Sequence, residues 1–168
     1  MIKTAKYWIE ELKLEKHPEG GWFREIYRSE EIVGKEGLPK GFSGARNIST
    51  SIYYLLEGND FSSFHRIKSD EIWHYYVGVS SIEILFIQNG KLKKQVCGNK
   101  PEQGQHFQII VPKNTWFAAR LTDRKGFALV GCTVSPGFHF DDFELATNNL
   151  LKEYPHLKNE IEGLIQFR

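Results

Sequence analysis

Between Gly20 and Val134, short runs rich in aromatic and β-branched residues alternate with Gly, Pro, Asn and Asp, and no helical period is sustained. That pattern means strands separated by turns. Strands are expected at 22–28, 48–56, 61–66, 71–77, 82–87, 91–96, 106–111, 116–121 and 127–134. Asn89-Gly90 is a strong two-residue hairpin signal, and Pro112-Lys113-Asn114 marks another turn. Many short strands without helices between them predict an antiparallel sandwich or barrel, best matched by a jelly roll.

Helical spacing is confined to the ends. Ala5, Trp8, Ile9 and Leu12 share one face of a helix expected over 4–15, with Thr4 as cap and His17-Pro18 as stop. Asp141, with Glu144 three positions on, predicts a helix over 142–152. Pro155 opens a last helix carrying Leu157, Ile161 and Leu164. Residues 31–45 form a Gly-rich connection. With no repeat or linker in 168 residues, residues 1–168 read as a single domain.

Charge narrows the function classes. The 22 basic and 21 acidic residues leave a net charge of +1, which argues against nucleic acid or an anionic membrane as partner. The charged N-terminus lacks a signal-peptide core, and no later stretch could span a membrane. Cys97 and Cys132 make no CxxC pair and no disulfide framework. A soluble, cytoplasmic protein is the expectation. No Walker loop, dinucleotide fingerprint or nucleophile elbow occurs.

The chemistry concentrates in FHRIKSDEIWHYYVG, residues 64–78. His65 closes one strand, Lys68-Ser69-Asp70 turns, and Glu71 opens the next, so both side chains can face one cavity. Alternation from Glu71 puts Trp73 and Tyr75 on its face and His74 on the other, unless a bulge intervenes. Asp70 reads as a turn residue. Two ligands are too few for a metal. A His beside a carboxylate suits acid–base work, with Tyr27, Tyr54 or Tyr75 as complementary acid. The alternatives are ligand binding without chemistry, or two buried groups that satisfy each other. Arg24 and Arg28, placed on one face of strand 22–28, can clamp a phosphate or lie on the surface, and Arg46 and Arg120 have the same two readings. Glu19-Gly20-Gly21 reads as a tight turn. Cys132 reads as core and His139 as surface. Trp116 can floor the pocket or pack the core.

The spacing from His65 to Glu71 to Gly78 resembles the first cupin motif, with Ile67 where that motif has a second histidine. VPKNTWFAARL resembles the second motif, with Pro112 in place, Asn114 in the glycine slot and Phe117 in the histidine slot. HPEGGWFREIYRS at 17–29, TSIYYLL at 50–56, SDEIWHYYVG at 69–78, VPKNTWFAA at 111–119 and GCTVSPGFHFDDFEL at 131–145 resemble the cupin-5 family, in order along nearly the whole chain. The resemblance implies a mainly β cupin double-stranded β-helix with short terminal helices, commonly a homodimer, and no established reaction. Two of the usual four metal ligands are absent, so neither a metal nor another cofactor is expected. By analogy with metal-free epimerase cupins, the expected partner is a small polar metabolite, a sugar or nucleotide-sugar. His65 and Glu71 are then the catalytic candidates, and Tyr54, Ser63, Trp73, Tyr75, Trp116 and Arg120 the substrate-binding ones. A metal-dependent oxygenase or isomerase is the remaining alternative.

Overall fold

The computed structural model describes residues 3–166. Helix α1 (Ala5–Glu11) is capped by the Thr4 hydroxyl, which accepts from the Tyr7 N–H. It ends before residue 15, because Lys13 turns the chain through a positive φ of 52° into β1 (Glu15–Lys16). Its apolar face, Trp8 and Ile9 included, packs on Leu55, Phe127 and Leu129.

All nine expected strands form: β2 (Trp22–Arg28), β5 (Thr50–Glu57), β6 (Phe61–Ile67), β7 (Asp70–Gly78), β8 (Ile82–Gln88), β9 (Lys91–Cys97), β10 (Gln108–Val111), β11 (Phe117–Leu121) and β12 (Phe127–Ser135). Asn89 and Gly90 both take left-handed backbone between β8 and β9, as a tight hairpin with the sheet's twist requires. The connection at 31–45 contributes β3 (Ile32–Val33), which pairs with β4 (Arg46–Asn47). One sheet runs β1-β2-β5-β12-β7-β10. The other runs β13-β6-β11-β8-β9, with β13 at Phe143–Leu145. Neighbours within both sheets are antiparallel. Together they make the expected mainly β sandwich of the jelly-roll type.

The helix expected over 142–152 begins later. Residues 143–145 pair with β6 instead, covering a sheet edge that would otherwise stay open. Asp142 is spent on a buried ion pair with Arg46, whose Nη2 donates to Oδ1 at 2.9 Å. Helix α2 (Asn148–Glu153) starts from the Thr147 cap, and α3 (Lys158–Ile161) follows. Leu150, Leu157 and Ile161 from this segment pack against Phe64, Leu85 and Trp116 on the outside of the second sheet. The main core lies between the sheets. Among the described residues, no helix is long and apolar enough to cross a membrane.

Candidate functional site

The sandwich is filled at one end and hollow at the other. The hollow is a cavity of about 260 Å³ whose inner wall carries His17, Glu19, His65, Glu71 and Cys132. Phe23, Ile52 and Val134 form apolar sides, and Glu25, Arg28, Phe138 and Phe140 stand nearer the mouth. Behind it, Trp73 makes edge contacts with Tyr54 and Phe117, at centroid distances of 5.6 and 6.3 Å.

His65 and Glu71 come from opposite sheets, since β6 and β7 are joined by the turn that crosses between them. His65 sits opposite Phe117 on β11, and Glu71 opposite Val111 on β10 and Val134 on β12. Two bulges decide which of their neighbours share the cavity. In β6 the register against β11 shifts, so Ser62 and His65 oppose Ala119 and Phe117. Ser62 therefore turns inward, where it meets Glu19, and Ser63 turns outward, where strict alternation would reverse them. In β2 a shift between Glu25 and Tyr27 does the same for Arg28, which lines the cavity with Glu25.

The partner of His65 is Glu19. His65 Nε2 lies 3.1 Å from Glu19 Oε2, and Ser62 Oγ donates to Oε1 at 2.9 Å. His65 Nδ1 lies 2.8 Å from the Ser63 carbonyl. A carbonyl can only accept, so Nδ1 carries hydrogen. The close approach of Nε2 to a carboxylate oxygen then requires one proton between them. Burial pushes Glu19 upward, with His17 and Ser62 opposing, and pushes His65 downward, with Glu71 opposing. Both directions place that proton in a neutral pair. His17 Nδ1 accepts the Glu19 N–H at 3.3 Å, so it carries no proton there, and burial holds His17 below its ordinary range.

Glu71 is the second buried carboxyl. Burial pushes it up to about 7, against the opposing charge of His65 and with that of Glu19. Cys132 and Trp73 beside it hold the rise back. Cys132 itself is pushed well above the ordinary thiol range by burial, so it stays a thiol rather than a nucleophile.

Glu19 reaches this site because of its two glycines. Gly20 has φ +114°, and a Cβ there would fall 2.0 Å from the Phe61 carbonyl oxygen. Only glycine lets the arm lie this close against β6. The Ser63 N–H and Gln166 Nε2 both donate to the Glu19 carbonyl, at 2.9 and 3.1 Å, and the Tyr54 hydroxyl donates to the Gly20 carbonyl at 2.7 Å. The tight turn read from the sequence is present, but its function was missed: it delivers a carboxyl to His65. The available signal was the pairing of His17 and Glu19 around Pro18 ahead of two glycines.

Of the expected site residues, the structure brings His65 and Glu71 to the cavity. Tyr54 is committed to the Gly20 carbonyl, and Trp73 is fully buried behind the wall. Ser63 faces the C-terminal segment, donating to the Leu164 carbonyl at 3.1 Å, because of the β6 bulge. Tyr75 points to the filled end and donates to the Ser80 carbonyl at 2.9 Å. Trp116 packs under the C-terminal helices, with the Arg66 guanidinium 4.4 Å from its ring centre. Arg120 pairs with Glu83 at 2.7 Å on the second sheet, away from the cavity. None of these six lines it. His74 lies on the outer side, as alternation predicts, between Thr133 and Gln108, whereas His139 lines the mouth.

Cupins commonly hold a metal between the sheets, which takes three or four donors aimed at one point. Ile67 and Phe117 stand where two ligands would, His65 Nε2 is engaged by Glu19, and His17 Nδ1 by a backbone N–H. Among the described residues, no three His, Cys, Asp or Glu side chains are grouped to hold a metal ion. The residues do not fit that group.

Comparison with known proteins agrees with this architecture. A family model described as "Cupin superfamily (DUF985)", the Cupin_5 family, matches residues 6–146. An uncharacterized protein of Saccharomyces cerevisiae, YML079W, is 32% identical over 143 residues, covering 80% of this chain and 71% of its own. A solved structure of a Shewanella oneidensis protein is 37% identical with a TM-score of 0.86, over 99% of this chain and 100% of that one. A hypothetical protein from Leishmania major is 31% identical with a TM-score of 0.87, over 98% of this chain and 100% of that one. With the jelly roll, the order of its strands and the matched segments in agreement, the chain belongs to the Cupin_5 family of the cupin superfamily.

Proposed function

We propose that the cavity binds a small polar metabolite of the sugar class and moves a proton on it without a metal, as an isomerase or epimerase does. One observation carries this reading. A buried carboxyl, Glu71, faces the same enclosed space as a His–carboxylate pair that already holds a proton. Two groups of opposite protonation, one on each sheet, are what proton removal and return at a carbon beside a carbonyl need.

The roles follow from which atoms are free. Both ring nitrogens of His65 are engaged, by Ser63 and Glu19, so His65 holds a proton rather than seeking one. Glu71 sits near neutrality and takes the carbon-bound proton. The His65–Glu19 pair gives its shared proton to the carbonyl oxygen; Glu71 then re-protonates the resulting enediol on carbon while an enediol hydroxyl returns its proton to the pair, which restores both groups and the carbonyl. A carboxyl held at about 7 exchanges protons with little penalty either way at neutral pH.

The test is exchange of substrate C–H for solvent deuterium. Aldoses and ketoses of five and six carbons are incubated with the protein in deuterated buffer and followed by mass spectrometry. Exchange at the carbon beside the carbonyl is expected, falling about 10²–10⁴-fold in Glu71→Gln. Its rate should rise with pH through about 7, as Glu71 ionises. A second reading, binding without turnover, is favoured by the way His65 and Glu19 satisfy each other. Binding that brings no exchange would establish it in place of the first.

A further inference from the structure

The wall of the cavity carries several ionisable groups, and their pairing says what charge a ligand can bring. We infer that the cavity takes an uncharged, compact hydroxy-carbonyl compound and turns away its phosphorylated, carboxylated and aminated forms, because Arg28 and Glu19 in its wall are already paired and Glu71 has no cation beside it. This rests on the reading of the cavity as a ligand site.

Arg28 is the formal cation in the lining, and its donors are spent. Its Nε and Nη2 donate to the two Glu25 oxygens at 2.9 and 2.7 Å. Its Nη1 donates to Asn47 Oδ1 at 2.9 Å and the Phe138 carbonyl at 3.1 Å. Four of the five guanidinium N–H groups are thus engaged, and the positive charge is matched by a bidentate carboxylate. A phosphate entering here would meet a neutralised arginine with Glu71 and Glu19 behind it. The phosphate-clamp reading of Arg28 therefore fails, and Arg24 points elsewhere, donating to the Leu12 carbonyl.

The acidic side offers an anion no counter-charge. Glu19 is closed on His65 and Ser62. Glu71 has no arginine or lysine beside it in the lining, and burial favours its protonated form up to about pH 7. An ammonium would have to compete with that proton, and an anion would be desolvated with no counter-charge to repay the cost. Neutral hydroxyls lose nothing here: they can donate to carboxyl oxygens and accept from protonated groups. A volume of about 260 Å³ falls below the roughly 300–1,000 Å³ usual for drug-sized ligands. It suits a single sugar-sized molecule rather than a nucleotide conjugate.

The experiment is a matched ligand panel on the full chain, read by thermal shift and calorimetry. Each five- or six-carbon sugar is compared with its phosphate, its uronic acid and its amino form. Ile52→Trp, which fills the cavity, serves as the control that assigns binding to it. The uncharged member is expected to bind at least about 10-fold more tightly than each charged counterpart, with the shift lost in Ile52→Trp. Glu25→Gln, which frees the guanidinium, should raise affinity for the phosphate form about 10-fold. A phosphate, uronate or amine that binds wild-type protein as tightly as its parent, sensitively to Ile52→Trp, overturns the inference and leaves the ligand site standing. Failure of every member to bind overturns the ligand site itself, and the inference with it.

Discussion

The two ends of the sandwich are made from the same strands and differ in what fills them. Toward the closed end, Leu56, Ile82, Ile84, Leu121 and Ala128 interlock between the sheets with almost no exposure, and Tyr75 closes on the Ser80 carbonyl. Toward the open end, β5, β6, β7 and β12 supply Thr50, Ile52, His65, Glu71 and Val134 around empty space. Tyr54, Trp73 and Phe117 form the layer between. Close packing stabilises one end, whereas the other keeps buried titratable groups that packing alone would not favour. Close packing and buried titratable groups are thus separated along the strands, a few residues apart on each.

That contrast can be broken by mutation. The largest effect is expected from Ile84→Ala, which opens a new void at the closed end and should cost about 2–5 kcal/mol in urea unfolding. Ile52→Ala only enlarges a cavity that exists, and should cost less than half as much. Equal costs would mean that the two ends are packed alike.

Next is the pH response of Glu71→Gln. The folded-state value of Glu71 is raised from 4.5 to about 7, so the folded protein holds this proton more tightly than the unfolded chain. Stability from this group is complete below about 4.5 and is lost as pH rises through about 7. Glutamine has no such loss. The advantage of Glu71→Gln over wild type should grow by about 3 kcal/mol from pH 4 to pH 8. His65 and His17, both held low by burial, act with the opposite sign and lose stability as pH falls below about 6.5. A difference that stays flat with pH would place Glu71 in water.

Smaller effects sharpen the boundary. Tyr54→Phe removes the bond to the Gly20 carbonyl, which should cost about 1 kcal/mol and weaken ligand binding by loosening the arm that carries Glu19. Arg120→Ala removes a half-exposed pair with Glu83 and should change stability by less than about 1 kcal/mol. Ligand binding should not change, and any loss of it would return Arg120 to the site.

Much of this was legible in the chain. Each of the nine strands announced itself through alternation and flanking turn residues, because those signals act within a few residues. His65 and Glu71 both reach the cavity because the turn between them crosses from one sheet to the other. The helix over 142–152 failed because a cap pattern was outbid by an open sheet edge and by Arg46, both distant in the chain. Strict alternation puts Arg28 on the face of Arg24, which the bulge in β2 overturns, and the bulge in β6 turns Ser63 away from the cavity. Trp116 was a pocket candidate until α2 and α3 covered the outside of its sheet.

Period, turn chemistry and composition were enough to specify a jelly roll and to aim two ionisable residues inward, since they depend on local sterics and on which residues avoid water. The identity of the His65 partner was not specified in that way. It depends on a glycine turn docking against β6, and on Ser62 rather than Ser63 facing it. Both are settled by pairing between strands far apart in the chain, where a shift of one residue reverses every side chain that follows.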